Sequence, residues 1–143
     1  MHKLLIGLAV FSTLTAAHTD VYVSGGLSQL SGTGHQLTAG VGADTALGNT
    51  NLRAGIEAAR SFGDTGYSSV AGVVAYEGRN WSPYVKAGKT FGELEGKLYG
   101  IGVEYRTSLQ YGGWSAGLEY AREKVDLTNE KLDGIAIFAR YRY

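Results

Sequence analysis

Apolar and polar side chains alternate along most of this chain with a period of two, the spacing that sends successive residues to opposite faces of a β-strand. The closing segment shows it best. Ile135, Ile137, Ala139, Tyr141 and Tyr143 share one face, and Gly134, Ala136, Phe138, Arg140 and Arg142 share the other. The same division separates Tyr99, Ile101, Val103 and Tyr105 from Gly100, Gly102, Glu104 and Arg106, and Trp114, Ala116, Leu118 and Tyr120 from Ser115, Gly117, Glu119 and Ala121. Nearer the N-terminus, Leu37, Ala39, Val41 and Ala43 oppose Thr38, Gly40, Gly42 and Asp44, while Val21, Val23 and Leu27 oppose Tyr22, Ser24 and Ser28. Leu52, Ala54, Ile56 and Ala58 oppose Arg53, Gly55, Glu57 and Ala59, although Leu52, Ile56 and Ala59 would also share one side of a helix; the alternating neighbours favour a strand. Two segments are less regular: one around Val70, Val74 and Tyr76 has a weakly polar reverse face, and one around Val85, Ala87 and Phe91 is interrupted by Lys89. The pattern predicts eight strands, at 20–30, 35–45, 51–61, 68–77, 83–91, 97–107, 114–124 and 133–143, joined by short turns containing Gly, Ser or Asn. Strands of about 9–11 residues cross a bilayer when tilted by about 45°.

The alternation begins only at Asp20. Ahead of it, His2 and Lys3 precede an apolar run from Leu4 to Phe11, and the small residues Thr15, Ala16 and Ala17 follow. This is the arrangement of a secretory signal peptide cleaved after Ala17, so 1–17 reads as leader and 18–143 as the folded domain. The run is too short for a spanning helix, which needs about 20 apolar residues, and no cysteine follows it to carry a lipid.

Composition narrows the classes further. The 13 Lys and Arg residues balance 13 Asp and Glu, and a chain without net charge offers no electrostatic footprint for nucleic acid. The absence of cysteine removes disulfides and thiolate metal sites, leaving stability to backbone pairing and packing. Glycine is abundant at 22 residues and proline occurs once, which favours closely packed strands over a helical bundle.

A closed barrel of such strands has two colourings: a soluble carrier keeps its apolar residues inside, and a membrane barrel turns them outward. The polar faces carry Arg53, Glu57, Lys86, Glu104, Arg106, Glu119, Arg140 and Arg142, and periodicity alone allows either colouring. The aromatics decide. With both termini at one end, as an even strand count requires, Tyr76, Trp81, Tyr84, Tyr105, Tyr111, Trp114, Tyr141 and Tyr143 fall near that end. Phe62, Tyr67, Phe91 and Tyr99 fall near the other, with Tyr120 a little short of it. Strand propensity would scatter these rings, whereas two belts are what two membrane–water interfaces select. The predicted fold class is all-β: an eight-stranded antiparallel up-and-down transmembrane β-barrel.

The first strand contains Tyr22-Val23-Ser24-Gly25-Gly26, the segment after the middle turn Pro83-Tyr84-Val85-Lys86-Ala87-Gly88, and the sixth strand Tyr99-Gly100-Ile101-Gly102-Val103-Glu104-Tyr105. In this order they resemble the small outer-membrane barrel families of the opacity proteins, the OmpA transmembrane domain and the OmpX/Ail group. The resemblance covers the chain beyond the leader. It implies a place in the Gram-negative outer membrane among outer-membrane lipids and lipopolysaccharide, reached through periplasmic chaperones and the barrel assembly machinery. The closing Ala139-Arg140-Tyr141-Arg142-Tyr143 is similar to the C-terminal signal these families present to that machinery, with Tyr where Phe is commoner. Ile137, Ala139, Tyr141 and Tyr143 are therefore the candidate assembly signal.

Some eight-stranded barrels modify lipid A or transfer acyl chains, so catalytic residues matter. His2 lies in the leader and His18 at the new N-terminus, which leaves His35 in a short turn with Ser31, Thr33 and Gln36 nearby. A serine nucleophile needs its histidine within hydrogen-bond reach. No His-x-Ser pair of the lipid A deacylase type is present, and His35 reads as an ordinary loop residue. The inward charges read instead as an ionic core. Lys86, Glu104, Glu119 and Arg140 lie on four successive strands near the terminal end, and Arg53, Glu57 and Arg106 join the same network. Buried charges need partners because desolvating an isolated one costs several kcal/mol. An eight-stranded lumen is just wide enough to be filled by side chains, so no open pore is expected. The turns at the far end, 31–34, 63–66, 92–96 and 124–132, are short for the family, which weighs against adhesion through long loops. The expected function is that of a monomeric, non-enzymatic integral outer-membrane protein with a structural or surface-interaction role and no cofactor or metal. The alternatives are a lipid-modifying enzyme or small transporter, which a polar cleft open to lipid would favour, and a soluble lipocalin-like carrier.

Overall fold

The computed structural model describes residues 19–30, 34–48, 50–63, 66–92, 95–106, 113–126, 128 and 131–143. The leader, His18, Ser31, Thr33, Glu93 and Tyr111 lie outside them. The strands are β1 (Thr19–Leu30), β2 (Gly34–Ala46), β3 (Leu52–Gly63), β4 (Tyr67–Tyr76), β5 (Trp81–Gly92), β6 (Gly96–Arg106), β7 (Trp114–Val125) and β8 (Lys131–Arg142). Each pairs with the next, β1 and β8 pair with each other antiparallel, and the barrel is closed. The helix-compatible segment from Leu52 is strand because β2 and β4 take its backbone groups on both sides. β5 begins two residues before Pro83: Trp81 and Ser82 pair with Tyr105 and Glu104, and the proline stands opposite Val103.

The register makes the outer wall continuous. Leu27, Ile137, Leu118, Val103 and Pro83 follow one another across β1, β8, β7, β6 and β5. Leu27, Ile101, Leu118 and Ile137 are all more than half exposed, a degree of apolar display that water penalises and hydrocarbon does not. In the middle and terminal-end rows the charges, among them Lys86, Glu104, Glu119 and Arg140, point the other way, into the lumen, which is the opposite of a soluble carrier and removes the lipocalin-like alternative.

Aromatic rings edge this wall at both ends. Toward the termini, Trp81 packs on Tyr105 at 4.7 Å between centroids, Trp114 on Tyr141 at 5.2 Å, and Tyr141 on Tyr143 at 5.1 Å. Phe62, Phe91, Tyr99 and Tyr120 stand outward at the far end. Two rings expected in the belts are inside. Tyr84 is 5% exposed and Tyr67 9%, because each shares the face of inward neighbours and its hydroxyl reaches a lumenal carboxylate.

Glycines make room for the large interior groups. Tyr22 faces Gly42, Tyr84 faces Gly102, Lys86 faces Gly100, and Phe138 lies between Gly26 and Gly117. A Cβ on Gly102 would overlap the Tyr84 ring. Gly102→Val is therefore expected to lower stability by about 1–3 kcal/mol through overpacking. Gly25→Val, whose Cβ meets nothing closer than 3.9 Å, should change little. Denaturant titrations in detergent compare the two, and equal midpoints would refute the packing role of Gly102.

Candidate functional site

The lumen at the terminal end is filled by a layer of paired charges. Glu104, on β6 and 2% exposed, sits at its centre. Arg140 Nη1 donates to its Oε2 at 2.8 Å, Arg142 Nη2 lies 3.5 Å from the same oxygen, and Arg106 Nε is 3.4 Å from Oε1, which also accepts from the Ser115 hydroxyl. One such carboxylate offers about four lone-pair directions, so it serves several donors at once. Arg140 reaches with Nη2 to Glu57 Oε2 at 3.2 Å. Lys86 bridges Glu57 at 3.4 Å and Glu119 at 2.8 Å.

Two phenols complete this layer. Tyr22 donates to Glu57 Oε2 at 3.0 Å and Tyr84 to Glu119 Oε1 at 2.7 Å. The Arg140 guanidinium lies over the Tyr22 ring at 4.3 Å from its centroid and over Phe138 at 4.9 Å, contacts in which the ring quadrupole attracts the cation. Nearer the rim, Asp44 accepts from Arg53 at 2.8 Å and from Arg142 at 3.0 Å. Arg53 also reaches the half-exposed Asp20 at 2.8 Å, and Glu77 lies 3.7 Å from Arg53 and 3.5 Å from Arg106.

The structure thus brings together all of Arg53, Glu57, Lys86, Glu104, Arg106, Glu119 and Arg140. It adds Asp44 and Arg142 as full members, Asp20 and Glu77 at the rim, and Tyr22, Tyr84 and Ser115 as donors. Face parity alone marked Asp44 and Arg142, since both continue inward-facing rows. Their meeting follows from β1 standing between β2 and β8, a relation visible only once the barrel is closed.

Beyond the charge layer the lumen changes character. A cavity of about 90 Å³ is lined by Ser24, Ser28, Thr38, Ser61, Ser69 and Glu123, among others. Tyr67 donates to Glu123 Oε1 at 2.6 Å there. Of the histidines, the structure describes His35, which is exposed opposite Gln29 on the outward face of β2, away from these hydroxyls. In the candidate assembly signal, Ile137, Ala139 and Tyr143 are exposed on the outer wall and Tyr141 is half-buried between Trp114 and Tyr143.

No protein-family model and no curated protein sequence matches the chain. Solved structures do. A designed transmembrane β-barrel is 21% identical with a TM-score of 0.60, over 87% of this chain and 95% of that one. Ail, the attachment invasion locus protein of Yersinia pestis, is 14% identical with a TM-score of 0.61, over 87% and 97%. The outer membrane enzyme PagL is 17% identical with a TM-score of 0.61, over 83% and 97%. At such identities the likeness speaks to the fold, and the fold is the eight-stranded transmembrane barrel.

Proposed function

We propose that this chain is a non-enzymatic outer-membrane protein, inserted with both termini toward the periplasm, whose plugged barrel serves the structure and surface of the envelope. The charge layer carries this reading. Glu57, Glu104, Glu119 and Asp44 are each held by guanidinium, ammonium or hydroxyl donors from other strands. A carboxylate so engaged is a poor proton shuttle, and a lumen packed with paired charges is a poor conduit. The apolar outer wall between aromatic belts supports the membrane setting, since an equal area facing water would drive aggregation.

An outer membrane enzyme stands among the similar folds, so the rivals to exclude are a lipid-modifying enzyme and a small transporter, and one measurement addresses each. The refolded protein in a planar bilayer is expected to give no conductance steps above the bare membrane. Lipid A incubated with it in detergent is expected to keep its mass. Stable conductance would replace the structural reading with transport, and loss of an acyl chain would replace it with catalysis.

A further inference from the structure

The register aligns four lysines that the sequence scatters. Lys89 on β5 stands opposite Lys97 on β6, Lys97 opposite Lys124 on β7, and Lys124 opposite Lys131 on β8. All four are exposed and share the outward parity of the apolar wall. Neighbouring strands lie about 4.8 Å apart, so the row spans roughly 15 Å. Like charges directly opposite one another destabilise a sheet. Among the described residues no carboxylate lies within ion-pair distance of these ammonium groups, and the outward carboxylate of these strands, Asp133, is held by Arg122 at 2.7 Å while attracting Lys131 from farther off.

What lies beneath the row identifies what would neutralise it. Toward the barrel middle, the same faces carry Ala87 and Val85 on β5 and Tyr99 and Ile101 on β6, while on β7 and β8 the mutually neutralised pair Arg122 and Asp133 comes first and Tyr120, Leu118, Ile135 and Ile137 follow. A cationic row above a hydrocarbon wall, with one neutralised ion pair between them on two of the four strands, matches an amphiphile: anionic groups at the height of the lysines, acyl chains along the wall. The lysines stand near the ends of the strands, Lys97 one outward position beyond Tyr99 and Lys124 two beyond Tyr120, just past the rings that mark the interface. That placement favours a lipid over a soluble polyanion, which would meet the turns first.

We propose that Lys89, Lys97, Lys124 and Lys131 form a binding site for an outer-leaflet lipid whose headgroup carries more than one phosphate. The site rests on the reading of the chain as an outer-membrane barrel with its far end outward, and it names a lipid partner for that barrel. Several phosphates are required because one would leave most of a 15 Å row uncompensated, roughly the span of four strands. The lysine stems can lie along the wall while their ammonium groups rise to the phosphates.

The test uses the full mature chain refolded into phosphatidylcholine vesicles, alone or with bisphosphorylated lipid A, monophosphoryl lipid A or phosphatidylglycerol. Bisphosphorylated lipid A is expected to lower the unfolding equilibrium constant roughly tenfold to a hundredfold, as for a site loaded at about 10 to 100 times its Kd. The single-phosphate lipids should do much less. Combining Lys89→Gln, Lys97→Gln, Lys124→Gln and Lys131→Gln should abolish the response and leave the protein at least as stable in phosphatidylcholine, since the repulsion is gone. The central pair Lys97→Gln and Lys124→Gln supplies a milder variant, and Arg79→Gln, on an exposed turn at the opposite end, should retain the full response. Stabilisation that survives the fourfold change, or that phosphatidylglycerol or soluble tripolyphosphate reproduces equally, would overturn the site. Insertion with no response to lipid A would overturn the site alone, whereas failure to insert into any vesicle would overturn the membrane reading beneath it.

Discussion

Glu104→Ala is expected to lower the unfolding free energy of the barrel by about 3–5 kcal/mol, the range for removing one partner from a buried ionic group. The cost comes less from lost attraction than from what is left behind. Arg140, Arg142 and Arg106 all lie within 3.5 Å of this carboxylate, and only the first two have another buried carboxylate to turn to. Arg106 keeps the rim residue Glu77, and the Ser115 hydroxyl falls back on the longer contact to the Arg140 carbonyl at 3.5 Å. Glu104→Gln retains volume and some hydrogen bonding but not the charge, so it should fall between alanine and the parent. Glu95, exposed beyond the start of β6, provides the control, because an isolated surface charge contributes about 1 kcal/mol at most. Urea titrations in detergent, followed by tryptophan emission and by the mobility difference of folded and unfolded barrels, read the effect. Equal midpoints for Glu104→Ala and Glu95→Ala would end the ionic-core account.

Ile101→Arg should produce the next largest loss, about 2–4 kcal/mol in a bilayer, the cost of an arginine on the lipid face near the midplane. Ile101 is 58% exposed and lies on β6 between the interfacial rings of Tyr99 and Tyr105. Its guanidinium would have to climb to an interface or draw water into hydrocarbon. Leu47→Arg introduces the same group at an exposed position in the turn after β2, where depth no longer matters, and should cost about 0–1 kcal/mol. Refolding titrations into vesicles compare the two. A harmless Ile101→Arg would mean that this wall does not face lipid.

The strands and their faces were legible because a two-residue period leaves little freedom: once Ile135, Ile137 and Ala139 are outward, Arg140 and Arg142 must be inward. The segment from Leu52 had a helical alternative that only its strand neighbours remove, and no local signal in it says so. Tyr84 and Tyr67 show two cues in conflict. Their places near strand ends suggest the belts, yet parity with Lys86 and Ser69 turns them inward, and parity wins because the phenols then find Glu119 and Glu123. The charge layer was legible in membership but not in pairing. Arg142 and Asp44 are 98 residues apart, and their contact depends on closure of the barrel rather than on any spacing in the chain. The lysine row needs no closure and lay hidden in the register of consecutive strands, since Lys89 interrupts one strand's pattern and acquires meaning only opposite Lys97.

The same long-range pairing bears on how the barrel comes into being. Arg140 meets Glu57 across 83 residues of chain and Arg142 meets Asp44 across 98. These contacts reward the chain only after the entropy of bringing its two ends together has been met. A sheet ending at β7 still holds Glu57, Glu104 and Asp44 with Lys86, Arg106 and Arg53 beside them, but without Arg140 and Arg142 closing it would bury these carboxylates with fewer partners, which resists curling. Arrival of β8 changes the sign of that balance: it supplies backbone partners to the free edges of β1 and β7 and cations to the lumen in one step. The eighth strand thus acts as a latch, and a chain truncated before it keeps only the pairs among the other strands, such as Arg53 with Asp44 and Lys86 with Glu119.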